Sequence, residues 1–296
     1  MNSGNPELDF LGKNILVTGG SEGLGLSLCK RIVRNGGNIV FCARTKKNIV
    51  KIEKELNQNL YENQKIKGLV VDISKPDEVN DMYLQTKLEY PYFDVLINNA
   101  GIIGEFGKFL DVNFFEWQKT FQVNFFSSAF IIYRFLPDML ARKKGKIIQL
   151  SGGGATSTLR GMSAYSASKT AVVRLIENLS VEYKETGIAF NCVAPGLIRS
   201  RLLKQMINAG PDIIGQNLFE KSTQKNTESS DSTLLACELI QFLISDKSDG
   251  ISGKLISAEW DNWQNWPNHI DALSNSDIYT LRRVVGRDRN ELWGDI

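Results

Sequence analysis

Tyr165 and Lys169 are the residues whose types and spacing most directly suggest chemistry. They stand four apart in Tyr165-Ser166-Ala167-Ser168-Lys169, and on a helix that spacing puts both side chains on one face. A phenol ordinarily titrates near ~10. A neighbouring ammonium favours the phenolate and lowers that value. The tyrosine then becomes a proton donor or acceptor near neutral pH. Such a pair is common by chance, so its weight depends on what surrounds it.

A glycine-rich turn supplies the second chemical signal. Thr18-Gly19-Gly20-Ser21-Glu22-Gly23-Leu24-Gly25 follows the apolar run 14–18 and precedes helical spacing over 24–35. Glycine lets a backbone turn tightly against a pyrophosphate, and the helix start offers unpaired N–H groups and a positive dipole end. The strand-turn-helix context is that of a dinucleotide site. Gly19, Ser21, Glu22, Gly23, Leu24 and Gly25 are its candidate residues. The second apolar run ends in Cys42-Ala43-Arg44-Thr45-Lys46-Lys47. An acid there would accept from an adenine-ribose hydroxyl and repel a 2′-phosphate. No acid is present, and Arg44, with Thr45 beside it, would pair with a 2′-phosphate. NADP(H) is therefore expected over NAD(H). The competing role for Arg44 is a solvated loop cation.

These groups must be positioned by regular elements. Short apolar runs at 14–18, 38–43, 68–71, 94–97, 146–150 and 188–193 alternate with helical patterns at 24–35, 46–62, 115–139 and 163–185. Pro76 opens a further helix, where proline fits best. Strands buried on both faces and alternating with helices predict an α/β fold: one domain, a Rossmann-type, doubly wound parallel sheet over 1–296. A lid-like insertion is expected at 200–231, with a merely disordered segment as the other reading and the polar stretch 220–232 read as a loop. A C-terminal extension is expected at 258–296.

Composition excludes other classes. The chain has 296 residues, 42% hydrophobic and 23% charged, with 35 basic and 33 acidic side chains and a net charge of +2. That balance offers no footprint for nucleic acid. Four cysteines without CxxC spacing and a single histidine, His269, predict neither a disulfide framework nor a metal site. No apolar run approaches the ~20 residues of a membrane span. The N-terminal residues have no signal-peptide pattern, and a cytoplasmic protein is expected.

Taken together, the turn at 18–25, Asp72, Asn98-Asn99-Ala100-Gly101, Asn124, Tyr165, Lys169 and Pro195-Gly196 make the chain resemble the short-chain dehydrogenase/reductase family. Order and spacing agree over 13–256. The resemblance implies Asp72 and Ile73 near the adenine, and Asn99, Ala100 and Gly101 along the cofactor. It implies Pro195, Gly196, Leu197 and Ile198 at the nicotinamide, and Lys169 on its ribose. Asn124 would hold a water in a proton relay through Lys169, with a locally satisfied, helix-bending amide as the other reading. The implied reaction moves hydride between the nicotinamide and a small-molecule carbonyl or alcohol, with Tyr165 as acid/base. Glu22 counts against NADP(H), because some NADP-preferring relatives carry a base there. Homodimers or homotetramers through the helices at 115–139 and 163–185 are implied, with Phe125-Phe126 and Phe130-Ile131-Ile132 as contact or core.

One position departs from the pattern. The serine expected thirteen residues before the tyrosine is Gly152. Ser151 would supply the hydroxyl after a one-residue shift, or Thr156, Ser157 or Thr158 would reach in, or the site has none. Two rivals follow: an NADP(H)-binding sensor that has lost turnover, and a nucleotide-sugar-modifying enzyme that recycles its cofactor. In the tail, Trp260, Trp263 and Trp266 recur every third residue, read mainly as packing. Asp261 and Arg283 are read as an ion pair or a substrate contact. The ending is similar to that of family members associated with sugars, so a sugar-like substrate is one expectation.

Overall fold

The computed structural model describes residues 9–228 and 233–291. Seven strands, β1 (Asn14–Thr18), β2 (Asn38–Ala43), β3 (Ile66–Val70), β4 (Val95–Asn98), β5 (Gly145–Leu150), β6 (Ile188–Ala194) and β7 (Lys254–Ser257), form one parallel sheet. Its order is β3-β2-β1-β4-β5-β6-β7. The described helices are α1 (Gly23–Arg34), α2 (Lys46–Leu56), α3 (Pro76–Lys87), α4 (Phe114–Phe121), α5 (Ser127–Arg142), α6 (Ser163–Glu182), α7 (Arg201–Ala209), α8 (Pro211–Ile214), α9 (Gln216–Thr227), α10 (Leu234–Ile244) and α11 (Ile270–Ser274).

Every residue of β1 is buried. Ile15 and Val17 join a core with α1, α2 and α10, while Leu16 joins the opposite core with α3, α5 and α6. Successive side chains point to opposite faces, so a strand covered on both faces must be apolar throughout. The chain leaves β1 toward β2 and leaves β4 toward β5. The two loops part at that reversal and open a crevice at the strands' carboxyl ends, which is where ligands bind in such sheets.

Three elements differ from the sequence reading. The helix predicted over 46–62 ends at Leu56, its last buried anchor, where Asn57 Nδ2 donates to Glu53 O at 2.7 Å. The helix predicted over 115–139 runs through a wide π-type turn at Gln122–Phe126. There Ser127 and Ser128 hydroxyls donate back to the Val123 and Asn124 carbonyls, a competition that distorts helices. The polar stretch predicted as loop is helical up to Thr227, the end of α9, because Leu218 and Phe219 earlier in that helix dock on an apolar cluster. Residues 229–232 of that stretch lie outside the described residues, as do 292–296 of the extension.

The tail is strapped to the sheet. Leu255 N donates to Tyr279 O at 2.8 Å, covering the free edge of β7. Lys254 Nζ donates to Ser276 O and Ile278 O at 3.0 Å each, and Leu281 N donates to Glu177 Oε1 at 2.6 Å. Trp263 and Trp266 are buried against Phe242 and Tyr279, whereas Trp260 is 84% exposed. Of the outward apolar residues on the α4–α5 side, Ile131 and Ile132 are core, while Phe114, Phe115, Phe126 and Tyr133 are exposed.

Candidate active site

A cleft of about 760 Å³ occupies the crevice at the β1/β4 reversal. Its floor is the glycine turn. Gly19 has φ +68°, and a Cβ on Gly25 would lie 2.1 Å from Gly19 O and 2.6 Å from Asn99 Nδ2, so only glycine lets α1 start this close to the turn. No side chain caps the first turn of α1, which leaves its N–H groups for an anion. Thr18 organises both loops: its hydroxyl accepts from Asn99 N and Ala100 N, each at 3.1 Å. Asn99 Nδ2 donates to Thr18 O at 2.9 Å and to Gly19 O at 3.2 Å.

Ser21, Glu22, Gly23, Leu24, Arg44, Thr45, Asp72, Ile73, Asn99, Ala100 and Gly101 line one end of this cleft with Gly19 and Gly25. Pro195, Gly196, Ile198, Ser151, Tyr165 and Lys169 line the rest. Partial burial pushes the Asp72 carboxyl up, but hydrogen bonds from Ser74 and the charges of Arg44 and Lys75 outweigh it and hold it below the usual range. Arg44 is exposed beside it.

At the other end, Lys169 Nζ is buried and donates to Leu150 O at 3.0 Å. Burial lowers its ammonium to about 8. Tyr165 is pushed up to about 12, also by burial, so the lowered phenol expected from its neighbour is not found. Lys169 Nζ sits 5.8 Å from the Tyr165 ring centre, and at that range desolvation wins. Tyr165 is therefore held as a neutral phenol, and its Oη has no protein hydrogen-bond partner among the described residues.

Gly152 explains the tyrosine's position. Its backbone is extended, φ 174° and ψ 169°, a conformation any residue adopts, so glycine is not needed for the turn. A Cβ there would lie 2.5 Å from Tyr165 Oη. The phenol occupies space that a serine side chain would take. Of the substitute hydroxyls, Ser151 and Ser157 line the cleft, whereas Thr156 and Thr158 do not. Ser151 Oγ already donates to Lys169 O at 3.3 Å.

Asn124 does not line the cleft. It is fully buried and its side-chain amide is satisfied: Oδ1 accepts from Ile102 N at 2.8 Å, and Nδ2 donates to Ile102 O at 2.8 Å and Ser168 Oγ at 3.0 Å. Ser168 Oγ in turn donates to Tyr165 O at 2.8 Å. Even the Asn124 carbonyl accepts from Ser128 Oγ at 3.1 Å. The amide thus fixes α6 against the 100–103 loop, which favours the locally satisfied reading over a water-holding one. Gly101 sits where a Cβ would meet both Asn124 Oδ1, at 3.2 Å, and Lys169 Nζ, at 3.4 Å.

The glycine crevice, the Thr18–Asn99 brace and the Tyr165–Lys169 pair coincide in one cleft, and the short chain dehydrogenase family matches residues 13–209. The chain belongs to the short-chain dehydrogenase family. Dehydrogenase/reductase SDR family member 6 of Xenopus laevis is 30% identical over 254 residues, covering 84% of this chain and 97% of that one. By fold, the chain is similar to a short chain dehydrogenase of Shigella flexneri complexed with NADP (TM-score 0.72, 21% identity, 86% and 99% of the two chains). It is likewise similar to an NAD+-bound xylitol dehydrogenase (TM-score 0.74, 20% identity, 84% and 98%). Short-chain dehydrogenases are oxidoreductases that transfer hydride between NAD(P) and a CH–OH or C=O group, and this chain is one of them.

Several lining residues went unread in the sequence. Asn48 lines the cleft beside Arg44 and Thr45. Leu159, Met162, Leu202, Met206 and Leu218 line the far end, and as ordinary apolar residues they carried no signal. Asp261 and Arg283 do not line the cleft. Asp261 Oδ2 accepts from Ser257 N at 2.7 Å, and Arg283 is exposed. Among the described residues no cluster of His, Cys, Asp or Glu suits a metal, and no helix is long and apolar enough to cross a membrane.

Proposed function

We propose that the protein is an NADP(H)-dependent carbonyl reductase or alcohol dehydrogenase in which Tyr165 is the acid/base. The observation that carries this reading is the unpartnered, protonated Tyr165 hydroxyl seated against Gly152, with a buried lysine on the same helix face. The residues fit a nicotinamide dinucleotide: the uncapped start of α1 and the turn 19–25 suit its pyrophosphate, and exposed Arg44 suits a 2′-phosphate. When bound, that cofactor supplies or accepts the hydride.

This chain's own residues do the rest. In the reducing direction Tyr165 Oη donates its proton to the carbonyl oxygen, and in the oxidising direction the phenolate takes it back. Lys169, anchored on Leu150 O, puts positive charge beside the phenolate and offers Nζ to the nicotinamide ribose. Asp72 and Ile73 border the adenine. Asn99, Ala100 and Gly101 flank the cofactor, and Pro195, Gly196 and Ile198 face the nicotinamide. Ser151 polarises the substrate oxygen only by giving up its bond to Lys169 O, so Tyr165 carries most of that task. Asn124 positions Tyr165 through Ser168. A second copy would pack on the exposed Phe114, Phe115, Phe126 and Tyr133, which sedimentation at a monomer's mass would disprove. The expected location is cytoplasmic.

Fluorescence titration with NADPH and NADH, followed by ketone reduction in wild type and Tyr165→Phe, tests the reading. NADPH should bind more tightly, and Tyr165→Phe should bind it equally while losing about 10²–10⁴-fold in kcat. Full turnover by Tyr165→Phe would refute the assignment, and equal turnover with NADH would refute the cofactor preference.

A further inference from the structure

Beyond Tyr165 the cleft is closed by α7, α8 and α9. Their inner faces form a third apolar cluster, separate from the two that cover the sheet. It gathers Ile103, Met162, Met206 and Ile214, with Tyr165 itself packed against it. Within the cleft this end presents Leu159, Met162, Leu197, Leu202, Met206 and Leu218. The polar side chains that line the cleft nearby, Ser157, Arg201, Lys221 and Glu259, are exposed and so belong to the mouth, and half-buried Ser200 has its hydroxyl oxygen engaged by Leu203 N at 3.3 Å. On the strand side, Ser151 has its proton engaged by Lys169 O. The step beside Tyr165 carries no side chain, and a Cβ on Gly153 would meet nothing within 4 Å.

From this we infer that the substrate is a lipophilic carbonyl compound, ring-bearing or branched at the carbonyl, whose hydrocarbon body lies under α7–α9 while its oxygen meets Tyr165. The inference rests on the hydride-transfer reading above. A polyol or keto-sugar would press several hydroxyls against leucine and methionine. Each hydroxyl buried without a partner costs about tenfold to a hundredfold in binding. A hydrocarbon ring instead gains from leaving water. The open space at Gly153, next to the Gly152 position that the phenol fills, gives a substituent near the carbonyl somewhere to go. Gly210 and Gly215, both at positive φ, turn the chain from α7 into α8 and from α8 into α9, and Leu202, Met206 and Leu218 of α7 and α9 join Leu159, Met162 and Leu197 as the apolar lining.

The test compares kcat/KM, with NADPH, for α-tetralone and 4-tert-butylcyclohexanone against D-xylulose and 5-keto-D-gluconate. It uses the full-length protein and the variants Leu202→Asp and Leu218→Asp, both at half-buried positions. The expected result is at least about 100-fold preference for the ketones, from two unpaired hydroxyls in the sugars. Each variant should lose about tenfold or more on the ketones with NADPH affinity unchanged. Equal or better turnover of the keto-sugars overturns the substrate class and leaves hydride transfer intact. If NADPH binds and neither class turns over, hydride transfer to such carbonyls fails, and binding decides the class. Displacement of 1-anilinonaphthalene-8-sulfonate by α-tetralone in wild type but not in Leu202→Asp supports it, and no displacement overturns it.

Discussion

Replacing Gly152 by alanine isolates what the missing side chain does. The backbone there is extended, so alanine adds no strain of its own. Its Cβ would lie 2.5 Å from Tyr165 Oη, whereas ordinary contact begins at 3.4 Å. The hydroxyl must withdraw by about 1 Å, and a reacting group misplaced by about 1 Å costs about 100-fold in rate, or ~2.7 kcal/mol of activation energy. Tyr165 borders the cleft and has room to retreat into it, so the fold itself should lose within about 1 kcal/mol. The assay is kcat/KM for NADPH-dependent ketone reduction, with NADPH affinity and the urea midpoint as controls. A spectrophotometric titration of Tyr165 should also show its pKa falling from about 12, because the retreat brings the phenol toward solvent. Gly152→Ser should push the phenol equally but return a hydroxyl beside the carbonyl, recovering part of the loss. If Gly152→Ala turns over at the wild-type rate with an unchanged Tyr165 pKa, the phenol's position over Gly152 is not the one used in turnover.

Arg44→Ala should weaken NADPH binding by about tenfold or more, the worth of a charge-assisted hydrogen bond, and leave NADH binding unchanged; parallel fluorescence titrations decide it. Lys169 should tie stability to pH. Burial lowers its pKa from 10.5 to about 8, so between those values the unfolded chain binds a proton that the folded one sheds, and stability rises with pH. Below the folded value the penalty is complete, about 3 kcal/mol. Lys169→Met should therefore be stabilised relative to wild type at pH 7.5, with the gap closing toward pH 10 in urea unfolding; a pH-independent gap would sink the argument. Glu177→Ala removes the acceptor of Leu281 N and the partner of Arg174 at 2.8 Å. It should cost about 1–3 kcal/mol, read as a lower thermal midpoint and faster proteolysis after the tail is released; an unchanged midpoint would show that the strap carries no energy.

The sequence alone determined the sheet and the glycine turn at its carboxyl edge, because those are local matters. A strand buried on both faces must be a short apolar run, as at 14–18, and a turn that brings α1 against Gly19 admits only glycine at 25. Tyr165 and Lys169 were legible because a helix fixes the geometry of residues four apart. Tertiary structure decided the rest. Whether Lys169 lowers the phenol's pKa depends on burial, which the spacing does not encode, and burial reversed the expected direction. Asn124 spends its amide on Ile102, twenty-two residues away, a pairing visible only once the 100–103 loop is in place. Gly152 read as an absence in the sequence and became, in the fold, the space the tyrosine fills. The end of the cleft beyond Tyr165 is lined by Leu202, Met206 and Leu218, whose residue types are those of any core. Only the folding of α7–α9 back over Tyr165 turns that apolar surface into the wall of a cleft.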